Sequence, residues 1–96
     1  MFISFNGKIT AADQPVLQAA NRGYRYGDGL FETLRLENGV ILLEGLHFKR
    51  LMKGLQLLKF ELPKLFSPGK LAEEILHLAE KNQVRELGRV RLSVFR

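Results

Sequence analysis

Several residues in this 96-residue chain are of types and spacings that could do chemistry. Arg89 and Arg91 lie two apart in "GRVRLSVFR", so in a strand they share one face, opposite Val90, Leu92 and Val94. Two guanidinium groups side by side can hold a carboxylate or phosphate through paired N–H donors, although a solvated sheet face is the commoner setting for such a pair. In "LHFKRL", His47 and Arg50 are three apart, which places them on one face of a helix. Arg50 borders the apolar stripe of that helix, where a guanidinium either meets an anion or reaches out to water. The segment "NRGYRYGDGLFETLR" mixes glycines, aromatics and charge. Gly23, Gly27 and Gly29 follow neither the dinucleotide nor the P-loop spacing, and their simpler role is turn geometry. Asp28 and Glu32 lie near arginines, so ion pairs account for them. Tyr24, Tyr26 and Phe31 read as core anchors or as an aromatic platform.

Composition narrows the field. With 15 Lys+Arg against 10 Asp+Glu the net charge is +5, which suits an anionic partner without choosing one. The basic residues are spread along the chain rather than gathered in a tail. There is no cysteine, which excludes disulfides and thiolate metal sites. His47 and His77 are the only imidazoles and stand far apart, so no metal site is expected. No apolar run approaches the roughly 20 residues needed to cross a bilayer, and "MFISFNGKIT" lacks the plan of a signal peptide. A cytoplasmic protein with no membrane partner is the expectation.

These residues need elements to position them. "FISFNGKIT" predicts a β-hairpin turning at Asn6-Gly7, and "LFETLRLENGVILLEG" a second turning at Asn38-Gly39. In the second, Phe31, Thr33 and Arg35 share one face, with Glu32, Leu34 and Leu36 on the other. "AADQPVLQAAN" reads as an irregular connection because Pro15 biases Gln14 away from helix. "EGLHFKRLMKGLQLLKF" has helical spacing, with a stripe of Leu51, Leu55 and Leu58 and with Leu46 or His47 one turn earlier. After the break at "ELPKLFSPGK", Ser67 caps a second helix with Pro68 at its first position. That helix is expected to bury Leu71, Ile75 and Leu78, with Ala72 and Ala79 on its flanks, and to end at Asn82. A strand over "GRVRLSVFR" closes the order. The expected fold is α+β: a mainly antiparallel sheet of two hairpins and a C-terminal strand, with two helices on one side. The chain stops on a strong strand, which points to a piece of a longer protein.

Together, "RGYRYGDGLFETLR", a hairpin, "LHFKRLMKGLQLL" and "RVRLSVFR" resemble the small N-terminal domain of class IV aminotransferases. These are the fold-type IV pyridoxal-phosphate enzymes: D-amino-acid aminotransferases, branched-chain aminotransferases and aminodeoxychorismate lyases. The resemblance covers nearly the whole chain, residues 1–96, and rests on the order and spacing of the blocks. It implies that Arg50, in the His-x-x-Arg-Leu block, binds the phosphate of pyridoxal 5'-phosphate. It implies that Phe31 lines the substrate pocket, where several D-amino-acid enzymes use tyrosine, with Glu32 following in its usual place. Arg91 falls where residues meeting the substrate carboxylate often arise, and Arg89 lies on the same face. The Schiff-base lysine of the family belongs to a second domain. Lys8, Lys49, Lys53, Lys59, Lys64, Lys70 and Lys81 all lie in other blocks, so no catalytic residue is expected in this chain and the piece alone is expected to be inactive.

The resemblance therefore implies a homodimeric aminotransferase or lyase acting on an amino acid or amino-chorismate substrate. Phe31-Glu32-Thr33, in place of Phe-Glu-Gly, favours the lyase-like or D-amino-acid branch over the branched-chain one. No nucleic-acid partner is expected on this reading. The competing reading is a small basic nucleic-acid-binding module that uses Tyr24, Tyr26 and the arginines.

Overall fold

A computed structural model describes residues 1–13, 29–64 and 66–95 of the chain. The Pro15 connection and the glycine-aromatic run up to Asp28, including Gly23, Tyr24, Tyr26 and Gly27, lie outside the described residues. Strand β1 (Phe2–Phe5) pairs antiparallel with β2 (Lys8–Ala11). Between them Asn6 and Gly7 take φ of 52° and 80°. Both values suit a type I′ turn, whose twist matches that of the flanking strands. Asn38 and Gly39 repeat this device, at 50° and 79°, between β3 (Gly29–Glu37) and β4 (Val40–Ile41).

Helix α1 spans Glu44–Leu57 and α2 spans Pro68–Lys81. As expected, Ser67 caps α2: its Oγ accepts from Lys70 N at 3.1 Å, and Pro68 follows in the first turn. Asn82 ends that helix and does more. Its side-chain amide accepts from Phe2 N at 2.7 Å and donates to Phe2 O at 2.8 Å, stitching the first hairpin to α2. The start of α1 has no side-chain cap. Leu43 takes a left-handed conformation there with φ 54°, a cap the sequence does not announce.

Strand β5 (Leu87–Phe95) lies antiparallel along the whole length of β3, from Gly29 opposite Phe95 to Glu37 opposite Leu87. The α+β class holds. The strands divide, however, into a two-stranded sheet β1-β2 and a three-stranded sheet β4-β3-β5. Strand β4 is shorter than the expected hairpin arm, because the chain bends back after Ile41 to enter α1.

The core gathers on one face of β3. Leu34, Leu36 and Ile41 from the sheet meet Phe48, Leu51 and Leu55 of α1 and Ala72 and Ile75 of α2. The alternation in β3 is as read, with Leu34 and Leu36 buried and Thr33 and Arg35 exposed. Two helix assignments change. Phe48, not Leu46, fills the first turn of the α1 stripe: Leu46 is exposed, and Leu58 falls just beyond the helix and is also exposed. In α2 the flanking Ala72 is buried while Leu71 and Leu78 are only partly so. A small side chain lets the helix come close, and the bulky leucines then straddle the contact.

Close approach also explains one glycine. A Cβ on Gly54 of α1 would stand 2.7 Å from Leu30 Cδ1 of β3, so the helix rides low over the strand at this point. This contact lies one turn after Arg50 and two residues before Glu32, close to where those two side chains meet.

Candidate functional site

Strand β3 sends consecutive residues to opposite faces. Glu32 turns inward, between Leu30 and Leu34, and is 8% exposed. A carboxylate in that position must be fully hydrogen-bonded or its burial is costly. Helix α1 supplies the donors. Arg50 Nε donates to Oε1 at 2.7 Å and Nη2 donates to Oε2 at 2.7 Å, a bidentate side-on pair. His47, one turn earlier, meets Oε2 through Nδ1 at 3.2 Å. The i, i+3 spacing of His47 and Arg50 thus brings both to one acceptor. The Arg50 guanidinium holds the Glu32 carboxyl below its ordinary value; burial opposes this, and the His47 bond adds to the lowering. The same hydrogen bond raises Arg50 above its ordinary value.

Beside the apolar stripe, Arg50 both meets an anion, Glu32, and reaches out to water. Its side chain is 71% exposed, while that of Glu32 is 9% exposed. The arginine reaches over the carboxylate and leaves its far side open. A guanidinium carries five N–H donors. Glu32 engages the Nε/Nη2 edge. Among the described residues, the Nη1 donors and the second Nη2 donor, which form the end-on edge, meet no partner.

The other face of the sheet carries the remaining expected residues. Phe31, 64% exposed, lies under Arg91, whose guanidinium carbon is 4.7 Å from the ring centroid. That distance is within cation–π range and orients the arginine over the sheet. Register places Thr33 opposite Arg91 and Arg35 opposite Arg89. Among the described residues, Arg89 and Arg91 have no acidic partner. The face is open, basic and partly aromatic. Phe31, Arg89 and Arg91 are therefore together, and Glu32 and Arg50 are together behind them. Glu32 does not share the face of Phe31: both its oxygens are occupied beneath the sheet. The signal was present in the alternation, which put a charged residue on the Leu34 and Leu36 face, where it requires partners from a packed element. His77 is exposed on α2, away from both groups.

A family model matches the stretch of chain that contains β3, the His47-to-Arg50 turn and β5. The model for amino-transferase class IV covers residues 29–96, most of the chain. The chain belongs to the class IV aminotransferase family. Among curated relatives, D-alanine aminotransferase of Bacillus licheniformis is 31% identical over 92% of this chain and 30% of its own length. Aminodeoxychorismate lyase of Bacillus subtilis is 32% identical over 96% of the chain and 31% of its own length. Among solved structures, a hypothetical aminotransferase from Mycobacterium tuberculosis in its apo form superposes with a TM-score of 0.78 at 27% identity. That match covers all of this chain and 33% of the other. Its PLP-bound form matches with a TM-score of 0.74 at 28% identity. The chain therefore spans about a third of the length of the relatives it matches.

Proposed function

We propose that this chain is the N-terminal small domain of a pyridoxal-phosphate-dependent aminotransferase or aminodeoxychorismate lyase. Its substrate is an amino acid or amino-chorismate compound. In this reading Arg50 takes the cofactor phosphate. Phe31, Arg91 and Arg89 form part of the substrate wall, where the arginines meet carboxylate. The lysine that carries the cofactor comes from chain outside these 96 residues. The whole enzyme is a cytoplasmic homodimer.

The observation that carries the reading is the state of Arg50. Its guanidinium is gripped on one edge by Glu32 and presents the other edge outward. A phosphate needs two or more N–H donors in a fixed plane, and that edge supplies them. The residues present therefore fit the group. Pyridoxal phosphate, when bound, supplies an electron sink for charge developing at the substrate α-carbon. This chain's part is binding and orientation: Arg50 holds the phosphate end, while Phe31 and the β5 arginines align the substrate.

The test is Arg50→Ala in the full-length protein, with affinity measured for pyridoxal phosphate and for pyridoxal, which lacks the phosphate. The expected result is a loss of about tenfold or more for the phosphorylated form alone, the scale of one charge-assisted contact. Equal loss for both, or none, would overturn the assignment.

A further inference from the structure

The geometry points to Glu32 as the positioning residue of Arg50, with His47 as the brace that fixes Glu32. This rests on the reading of Arg50 as a phosphate ligand and adds what sets that ligand's aim. An exposed arginine ordinarily samples many rotamers, and an anion that captures it must first order the side chain. Here the ordering is already done. Glu32 is buried on the inner face of β3 and cannot follow a wandering partner. Its two oxygens lie 2.7 Å from Nε and 2.7 Å from Nη2, which fixes both the plane and the direction of the guanidinium. His47 meets the same Oε2 at 3.2 Å and so resists rotation of the carboxylate. Two residues of one helix turn, His47 and Arg50, converge on the single carboxylate that β3 supplies, and the product is a cation presented edge-on.

Glu32 acts on an incoming phosphate in two opposed ways. Its negative charge repels the phosphate, and its grip preorganises the donor. The substitution Glu32→Gln separates the two, because it keeps size and one acceptor oxygen while removing the charge and the second acceptor. If charge prevailed, Glu32→Gln would bind phosphate more tightly. If positioning prevails, it binds more weakly. Arg50 is solvent-exposed, so the repulsion is screened by water while the loss of aim is not. Positioning is therefore expected to win.

The experiment measures the preference for pyridoxal phosphate over pyridoxal in the full-length protein and in four variants. Arg50→Ala should abolish most of the preference. Glu32→Gln should lower it by about tenfold with pyridoxal affinity unchanged, a selective effect that general loosening of the fold would not produce. His47→Ala should lower it less, and His47→Asn, which keeps a donor near the position of Nδ1, should restore it. An unchanged or increased preference in Glu32→Gln, beside a lost one in Arg50→Ala, overturns the positioning role and leaves the phosphate ligand standing. An undiminished preference in Arg50→Ala overturns both.

Discussion

Adding one methyl group at Gly54 tests how closely α1 must ride over β3 to bring Arg50 to Glu32. Two effects compete in Gly54→Ala. Alanine gains about 0.8–1.0 kcal/mol over glycine in a helix interior. Against this, the new Cβ would stand 2.7 Å from Leu30 Cδ1, which must retreat by about 0.7 Å to reach the 3.4 Å of ordinary contact. Overpacking of this kind costs about 1–3 kcal/mol. Leu30 packs against the core cluster, which limits how freely it can swing away. The balance is a net change between about zero and 2 kcal/mol destabilising. Gly45, near the start of the same helix, has nothing within 4 Å of a built Cβ, so Gly45→Ala keeps its helix gain without a collision. Urea unfolding of the two variants beside the wild type, read as midpoints at constant m, supplies the comparison. The expected order of stability is Gly45→Ala, wild type, Gly54→Ala. Equal stabilisation by the two alanines would refute the close approach, and with it the account of how β3 and α1 hold the Glu32–Arg50 pair in register.

Three further outcomes follow from the same packing. Leu34 has no exposure and sits at the centre of the cluster, so Leu34→Ala should cost about 2–5 kcal/mol in the same unfolding assay. Ser67→Ala removes the accepted bond from Lys70 N and should cost about 1 kcal/mol, measurable as reduced helicity and midpoint. Acid should weaken the fold through Glu32. Its folded value lies below the ordinary 4.5, so the paired carboxylate contributes stability that is full above about pH 4.5 and is lost as pH falls through the folded value. The pH dependence of the midpoint should lose that acid limb in Glu32→Gln, and an unaltered profile would refute the contribution.

Local signals in the sequence survive into the structure almost unchanged. Asn6-Gly7 and Asn38-Gly39 turn where a pair of positive φ angles is needed. Ser67-Pro68 begins a helix and Asn82 ends it, because caps and turns are decided within a few residues. The alternation of β3 and β5 correctly separates the face of Phe31, Arg89 and Arg91 from the leucine face. What escaped is non-local. Nothing near Asn82 in sequence shows that its amide will bind Phe2, 80 positions away. The burial of Phe48 over Leu46 goes with a left-handed entry to α1 at Leu43 that no residue type announces. The division into two sheets depends on what the first hairpin packs against, and here that is α2. Of the site, the His47 and Arg50 spacing and the inward place of Glu32 were both readable. Their meeting was not, since it joins residues 18 and 15 apart through the packing of a helix on a strand.

The central claim is that Arg50 meets a phosphate with the edge Glu32 leaves free. A crystal structure of the full-length protein with pyridoxal phosphate tests it most directly. Phosphate oxygens are expected within hydrogen-bond distance of Nη1 and Nη2 of Arg50, with Nε still on Glu32 and His47 still on the same carboxylate. A phosphate bound elsewhere, or one that draws Arg50 away from Glu32, would contradict it.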